Sequence, residues 1–263
     1  MDARELIKAG NLAEARALLI GDVKNSPGDM AKRNLLLQVL FYCGEWDKAA
    51  NHLDTIGGLD IKSEIGVQVY KNLVAAEKVR LEVADLKRRP EFLPEVPLYA
   101  EQVFLARELL SVQKHGDAAE NFKQVTTKQP TLSGTVNGDE FSNIRDTDAY
   151  LGPFLEAMVH ERYVWIPFES IRELIITSPK TLLDLLWINA QITCWDGLTL
   201  NCYLPVLYPK TFQNKDDRLK LGRMTDWIDL GGGLYQGIGQ HVLEIGEKEM
   251  ALLEIQELQF KPE

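Results

Sequence analysis

The chain has 263 residues, 45% of them apolar and 26% charged, with a formal net charge of −10. This is globular composition, enough for one large domain or two ordinary ones, and it excludes a disordered chain. Through Pro130, 18 basic residues stand against 19 acidic ones; beyond it 11 stand against 20, and so acidic a second half argues against nucleic acid as partner, leaving a basic protein segment or plain solvation.

The first half reads as helices. The opening stretch MDARELIKAGNLAEAR is charged throughout and has no signal-peptide core, and no later run approaches the ~20 apolar residues of a membrane helix. A cytoplasmic protein with no membrane partner is expected. Asp2–Ala9 forms a short helix, and Asn11–Ile20 carries Leu12, Ala15 and Leu19 on one stripe. Met30–Tyr42 places Leu36, Leu37, Leu40 and Phe41 at helical spacing, and Glu45–Leu53 follows. A long helix runs from about Ser63 to about Arg88 and stops in RRPEFLPEVP, whose prolines forbid helix. Another spans about Leu98 to His115–Gly116, and a last one reaches about Val125.

Two pieces of this half share a pattern. GNLAEA begins at Gly10 and GEWDKA at Gly44, 34 residues later. That is the period of a tetratricopeptide repeat, two helices joined by a turn. The turn wants glycine, and the second helix approaches the first at a small residue, here Ala15 and Ala49. Leu19 and Leu53 fill the next large position, Pro27 marks the break after the first unit, and Ile61 stands where the second unit would have proline. A degenerate third pair is expected around Gly116. The alternative is a non-repetitive helical bundle.

Lys128–Asp148 breaks the helical pattern and reads as a linker or irregular crossing. After it, TDAYLGPFLEAMVHE reads as a helix capped by Thr147 or Asp148, YVWIP as a strand, and PFESIRELII as a short helix opened by Pro167. From about Leu185 the texture is β. Asp196-Gly197 is a preferred two-residue hairpin turn, which sets Cys194 opposite Thr199 and Cys202 opposite Gln191. Those two cysteines are then not cross-strand partners. With Cys43 they make an odd number lacking CxxC spacing, so reduced thiols are expected. A second hairpin turns near Gly246-Glu247-Lys248. The fold class that follows is α+β in two domains: a tetratricopeptide-like helical solenoid over residues 1–130, then a mainly antiparallel β domain with short helices over 131–263.

Chemistry is hard to find. His160-Glu161 lacks the second histidine of HExxH. GGGLYQGIGQ has neither phosphate-loop nor dinucleotide spacing, and its glycines read as bends between strands. Asp139, Glu140, Asp146 and Asp148 lack the spacing of a calcium loop, and no serine sits in GxSxG. No cofactor, metal or catalytic residue is expected.

Four stretches occur in order: LGPFLEAMVHERYVWIPFESI, WDGLTLNCYLPVLYP, LKLGRMTDWID and GIGQHVLEIGEKEMALLEI. Together with the helical first half they resemble the ImpE family, whose members, also called SciE or TagJ proteins, are encoded with bacterial type VI secretion systems. The resemblance implies a non-enzymatic accessory protein that binds the amphipathic N-terminal helix of the small contractile-sheath subunit, and through it touches the sheath-recycling AAA+ ATPase indirectly. Trp165, Pro167, Phe168, Arg223, Asp226 and Trp227 match the signature. They read as structural, with Trp165 and Trp227 in the core and Arg223 paired to Asp226. A tetratricopeptide-like groove would take the guest helix, and the 34-residue period places Asn34, Gln38, Phe41 and Tyr42 toward it. The competing reading keeps Phe41 in the core and puts the partner on the acidic domain. The rival functions are a hydrolase-like enzyme with its site in the second domain, which a buried polar cleft with a perturbed titratable pair would mark, and an effector chaperone.

Overall fold

The computed structural model describes residues 1–59 and 64–262. Among the described residues, seven helices fill the first half: α1 (Ala3–Ala9), α2 (Leu12–Asn25), α3 (Met30–Tyr42), α4 (Trp46–Leu59), α5 (Glu64–Ala84), α6 (Ala100–Ser111) and α7 (His115–Lys128). Local chemistry sets their ends. Asp2 and Glu5 form a capping box on α1, and Asp29 caps α3 through the Lys32 amide. Ile61 and Ser63 lie outside the described residues.

Three helical hairpins close with the same hydrogen bonds. Gly10 donates to Ile7 and Asn11 to Leu6; Gly44 to Phe41 and Glu45 to Leu40; Gln113 to Leu110 and Lys114 to Leu109. In each, the turn residue is left-handed, at φ 80°, 68° and 60°. The third turn is therefore Gln113, three residues before the expected Gly116, which sits inside the first turn of α7. Ala15, Ala49 and Ala118 are all wholly buried, five residues after their turns.

The second half is a sheet protein. Nine strands, β1 (Glu91–Phe92), β2 (Ser133–Val136), β3 (Asp139–Ser142), β5 (Phe154–Val159), β6 (Arg162–Pro167), β7 (Ile171–Ile176), β8 (Trp187–Cys194), β9 (Thr199–Pro205) and β14 (Glu257–Phe260), form one sheet in the order β1-β6-β5-β9-β8-β7-β14-β2-β3. Only β1–β6 is parallel. Beside it, β4 (Ile144–Asp146), β12 (Val242–Ile245) and β13 (Lys248–Ala251) make a three-stranded sheet, and β10 (Thr225–Gly231) and β11 (Leu234–Gly239) a two-stranded ribbon. A one-turn helix, α8 (Asp217–Lys220), precedes β10. No helix among the described residues is long and apolar enough to cross a membrane.

Four local expectations are corrected. The stretch read as a linker holds β2, β3 and β4, whose alternating burial is hidden by its polar composition. Residues 147–161 form no helix: a turn leads into β5, which is buried on both faces and so shows no strand alternation. PFESIRELII gives only a 3-10 turn at Phe168–Ser170, then β7. The β8–β9 hairpin pairs Thr193 with Thr199 and Ala190 with Cys202, one residue from the expected register. Its loop has three residues, Trp195-Asp196-Gly197, because Gly197 takes φ 93° at the third position while Cys194 bonds Leu198. All three cysteines are free.

One hydrophobic core runs through both halves. β1, which belongs in sequence to the helical half, is an edge strand of the large sheet, and the Leu93 amide donates to Trp165. The sheet half also reaches each hairpin turn. Asp217 accepts from the Leu12 amide at 2.7 Å, and Arg223 donates to the carbonyls of Ile7 and Lys8. Phe212 lies against Gly44, and Gly231 and Gly232 at the ribbon tip lie against His115.

Candidate functional site

Two of the four residues expected to face a guest groove, Phe41 and Tyr42, are buried instead. Phe41 is fully buried, edge-on to Trp187 at 5.1 Å, and Tyr42 is 1% exposed and donates its hydroxyl to the Leu182 carbonyl at 2.6 Å. Burial pushes the Tyr42 phenol well above its usual range. The sheet half occupies the face of α3 where a guest was expected, because these rings bury more apolar area against Trp187 and Leu182 than solvent would allow. Asn34 is exposed and Gln38 half-buried.

The signature residues divide. Trp165 is buried, stacked on Phe154 at 4.9 Å with the Arg107 guanidinium 4.8 Å above its ring, and its indole N–H donates to Tyr163. Pro167 ends β6 opposite Phe154, and the buried Phe168 donates its amide to Pro153. Arg223 does not pair with Asp226: it caps the last carbonyls of α1, where a cation is favoured. The Asp226 carboxylate accepts from the Trp227 amide instead. Trp227 is not core. It stands on a ribbon strand, 37% exposed, with its indole N–H on the Thr147 hydroxyl at 3.3 Å.

Sequence reasoning missed a buried charge cluster at the junction of the halves. Arg80 of α5 grips Glu156 of β5 with two N–H donors, at 3.0 and 2.6 Å, and also donates to Glu77 and to the Leu207 carbonyl. His241 bridges two carboxylates, Nδ1 to Asp146 at 2.8 Å and Nε2 to Glu156 at 3.0 Å. Tyr163 donates to Glu156, and Tyr208 to Asp146 at 2.8 Å. Asp148 accepts from the amides of Tyr150 and Gly237. The members come from several elements far apart in the chain, so no spacing announces them. The available signal was a glutamate inside the apolar run FLEAMV and an arginine inside the apolar stripe of α5.

Each titration follows from burial against charge. Burial opposes the His241 cation, but Asp146 and Glu156 outweigh it and push the imidazole up to about 9. Burial and the neighbouring Asp146 charge push Asp148 up to about 7, against the pull of its two amide donors. Burial also opposes the Glu156 anion, yet Arg80 and His241 hold it well below the usual carboxylate range. The two cavities that Arg80 lines measure about 30 and 20 Å³, space for a water, and Asp146 and Asp148 line a third of about 120 Å³. The cluster thus gathers perturbed groups at the junction, and its Arg80–Glu156 pair ties α5 to the sheet. Among the described residues no three His, Cys, Asp or Glu side chains converge as a metal site requires.

Helical hairpins clamped through a buried arginine to an antiparallel sheet define a two-part α+β protein. Residues 138–259 match the family model described as ImpE protein. The chain is also 33% identical, over all of its 263 residues and 92% of the relative, to the type VI secretion system accessory component TagJ of Pseudomonas aeruginosa. It belongs to the ImpE family. A crystal structure of a Vibrio parahaemolyticus protein superposes with a TM-score of 0.89 at 24% identity, covering 99% of this chain and 98% of that one, a likeness of fold.

Proposed function

We propose that this chain serves type VI secretion as a cytoplasmic, non-catalytic adaptor that binds the N-terminal helix of the small sheath subunit, with the sheath-recycling ATPase reached through that partner. The observation that carries the reading is similarity along the whole chain to an accessory component of that system. The three hairpins with their repeated turns and buried alanines support a tetratricopeptide-like scaffold. Its α3 face, however, is filled by the protein's own sheet half, so the guest belongs on another surface than the one bearing Phe41 and Tyr42. Isothermal titration of the full chain with a synthetic sheath-subunit N-terminal peptide tests this. Saturable 1:1 binding is expected, and its absence refutes the adaptor reading.

The hydrolase reading has one observation in its favour, the Glu156–His241–Asp146 arrangement. It needs a substrate within reach of these groups; the cavities beside Arg80 measure about 30 and 20 Å³ and the one lined by Asp146 about 120 Å³, all below the ~300 Å³ of an ordinary ligand pocket. Turnover of an ester or phosphate substrate that is abolished by His241→Gln in a folded protein would revive it.

A further inference from the structure

The ribbon of β10 and β11 is anchored at both ends, yet it turns its apolar side chains to solvent. Gly231 and Gly232 press on His115 at its tip, and Gly239 donates to Thr211 at its base. Of the thirteen large apolar residues exposed among the described residues, three, Trp227, Ile228 and Tyr235, stand on this ribbon, and a fourth, Met224, immediately precedes it. Concentration in one pinned element separates them from the scattered exposed side chains normal on any surface. The register sets Trp227 and Tyr235 on one face, with Asp229 opposite Tyr235. That face forms one wall of a groove of about 380 Å³, whose other wall carries Glu244 of β12, Glu249 of β13, and Arg145 and Thr147 at β4. The groove continues past Tyr235 toward Phe122 and Val125 of α7.

The charges in the groove are unbalanced. Glu244 and Glu249 stand directly opposite each other across β12 and β13, a like-charge pair that costs stability. Arg145, which also lines the groove, binds Glu244 at 2.6 Å and offsets its charge, and Glu249 has no basic partner among the described residues. Aromatic walls with an unpaired carboxylate complement one kind of guest, an amphipathic segment with an apolar stripe flanked by Lys or Arg. We propose that the groove between the β10–β11 ribbon and the β12–β13 hairpin is the docking site for such a basic amphipathic segment of the protein's partner. Trp227 is the anchor, held in place by its bond to Thr147, and Glu249 receives the cation. This rests on the adaptor reading and gives that reading its surface.

The test titrates the full chain with the synthetic sheath-subunit N-terminal peptide, comparing wild type with Trp227→Ala, Glu249→Lys and Asn34→Ala. Trp227→Ala should weaken binding about tenfold or more, as truncating a central aromatic anchor does. Glu249→Lys should weaken it as well, more at low salt than at high salt. Its thermal midpoint should stay level or rise, since the like-charge pair becomes an attractive one, which separates a lost contact from a damaged fold. Asn34→Ala should bind as wild type. Binding unchanged in both groove variants, or lost in Asn34→Ala alone, overturns the groove and leaves the adaptor reading standing. A wild type that ignores the peptide overturns both. A wild-type dimer that Trp227→Ala converts to monomer overturns the proposal in favour of a second copy of this chain as the occupant.

Discussion

Replacing Gly44 by alanine tests the junction of the two halves at one atom. Gly44 has φ 68°, in the left-handed region, where a residue with a Cβ costs ~1–2 kcal/mol. Gly10, at φ 80°, carries the same backbone cost. The two sites differ in what the new carbon meets. At Gly10 the nearest outside atom is the end of Arg223 at 3.9 Å, ordinary contact; at Gly44 the new carbon falls inside the space of the Phe212 ring. That ring lies edge-on to Trp46 at 5.9 Å, so moving it disturbs a packed aromatic pair, an overpacking cost of ~1–3 kcal/mol. Gly10→Ala should therefore cost ~1–2 kcal/mol from its backbone alone, and Gly44→Ala ~2–5 kcal/mol from both sources. Asparagine, which tolerates the left-handed region, should rescue much of the loss at Gly10 and little at Gly44. Urea denaturation followed by circular dichroism and by tryptophan fluorescence reads both variants, with coincident transitions as the two-state check. In a Phe212→Ala background the penalty of Gly44→Ala should shrink by ~1–3 kcal/mol, the coupling between the pair. Equal costs at the two glycines, or a Gly44 penalty indifferent to Phe212, would refute the claim that the sheet half presses on this turn.

Two further perturbations address the clamp. Arg80→Met removes the cation beside buried Glu77 and leaves Glu156 with His241 alone, and should cost ~3–5 kcal/mol by urea denaturation, with part recovered by adding Glu156→Gln; an Arg80→Met protein as stable as wild type would show the pairing to be idle. The pH profile carries a sign. His241 is raised to about 9, so its stabilisation is complete below the unfolded value of about 6.5 and is lost as pH rises through about 9. Asp148 is raised to about 7, so its contribution is complete below the unfolded value of about 3.9 and is lost as pH rises through about 7. The thermal midpoint should fall between pH 6 and pH 10, and His241→Gln should flatten the upper part of that fall; a level wild-type profile across the window contradicts the assignment.

Much of the helical half was legible because its signals are local. Met30–Tyr42 is read to the residue, since Asp29 caps one end and the Gly44 turn closes the other. The third hairpin was displaced because Gln113 takes the turn position that glycine holds elsewhere, and a left-handed glutamine has no sequence signature. β5 was misread because a strand buried on both faces has no alternation, and its glutamate looked like the polar side of a helix. The β8–β9 register slipped by one because Asp196-Gly197 serves a two-residue or a three-residue loop equally well, and only the pairing of the strands selects.

Composition, period and ordered signature pieces determined by themselves that this is an α+β chain of the ImpE family with helical hairpins first and strands after. They act within a few residues, or through the likeness of whole stretches, and need no knowledge of what packs on what. Which face each element shows is a long-range matter. Phe41 and Tyr42 have the pattern of a groove and the location of a core, because Leu182 and Trp187, more than a hundred residues later, cover them. Trp227 has the composition of a core and the location of a surface, because its strand joins a separate two-stranded ribbon and not the large sheet. Arg80, Glu156 and His241 meet only once the halves close. The free energy that decides each case is the burial of apolar area and the pairing of charges across distant segments, and it exists only in the assembled fold.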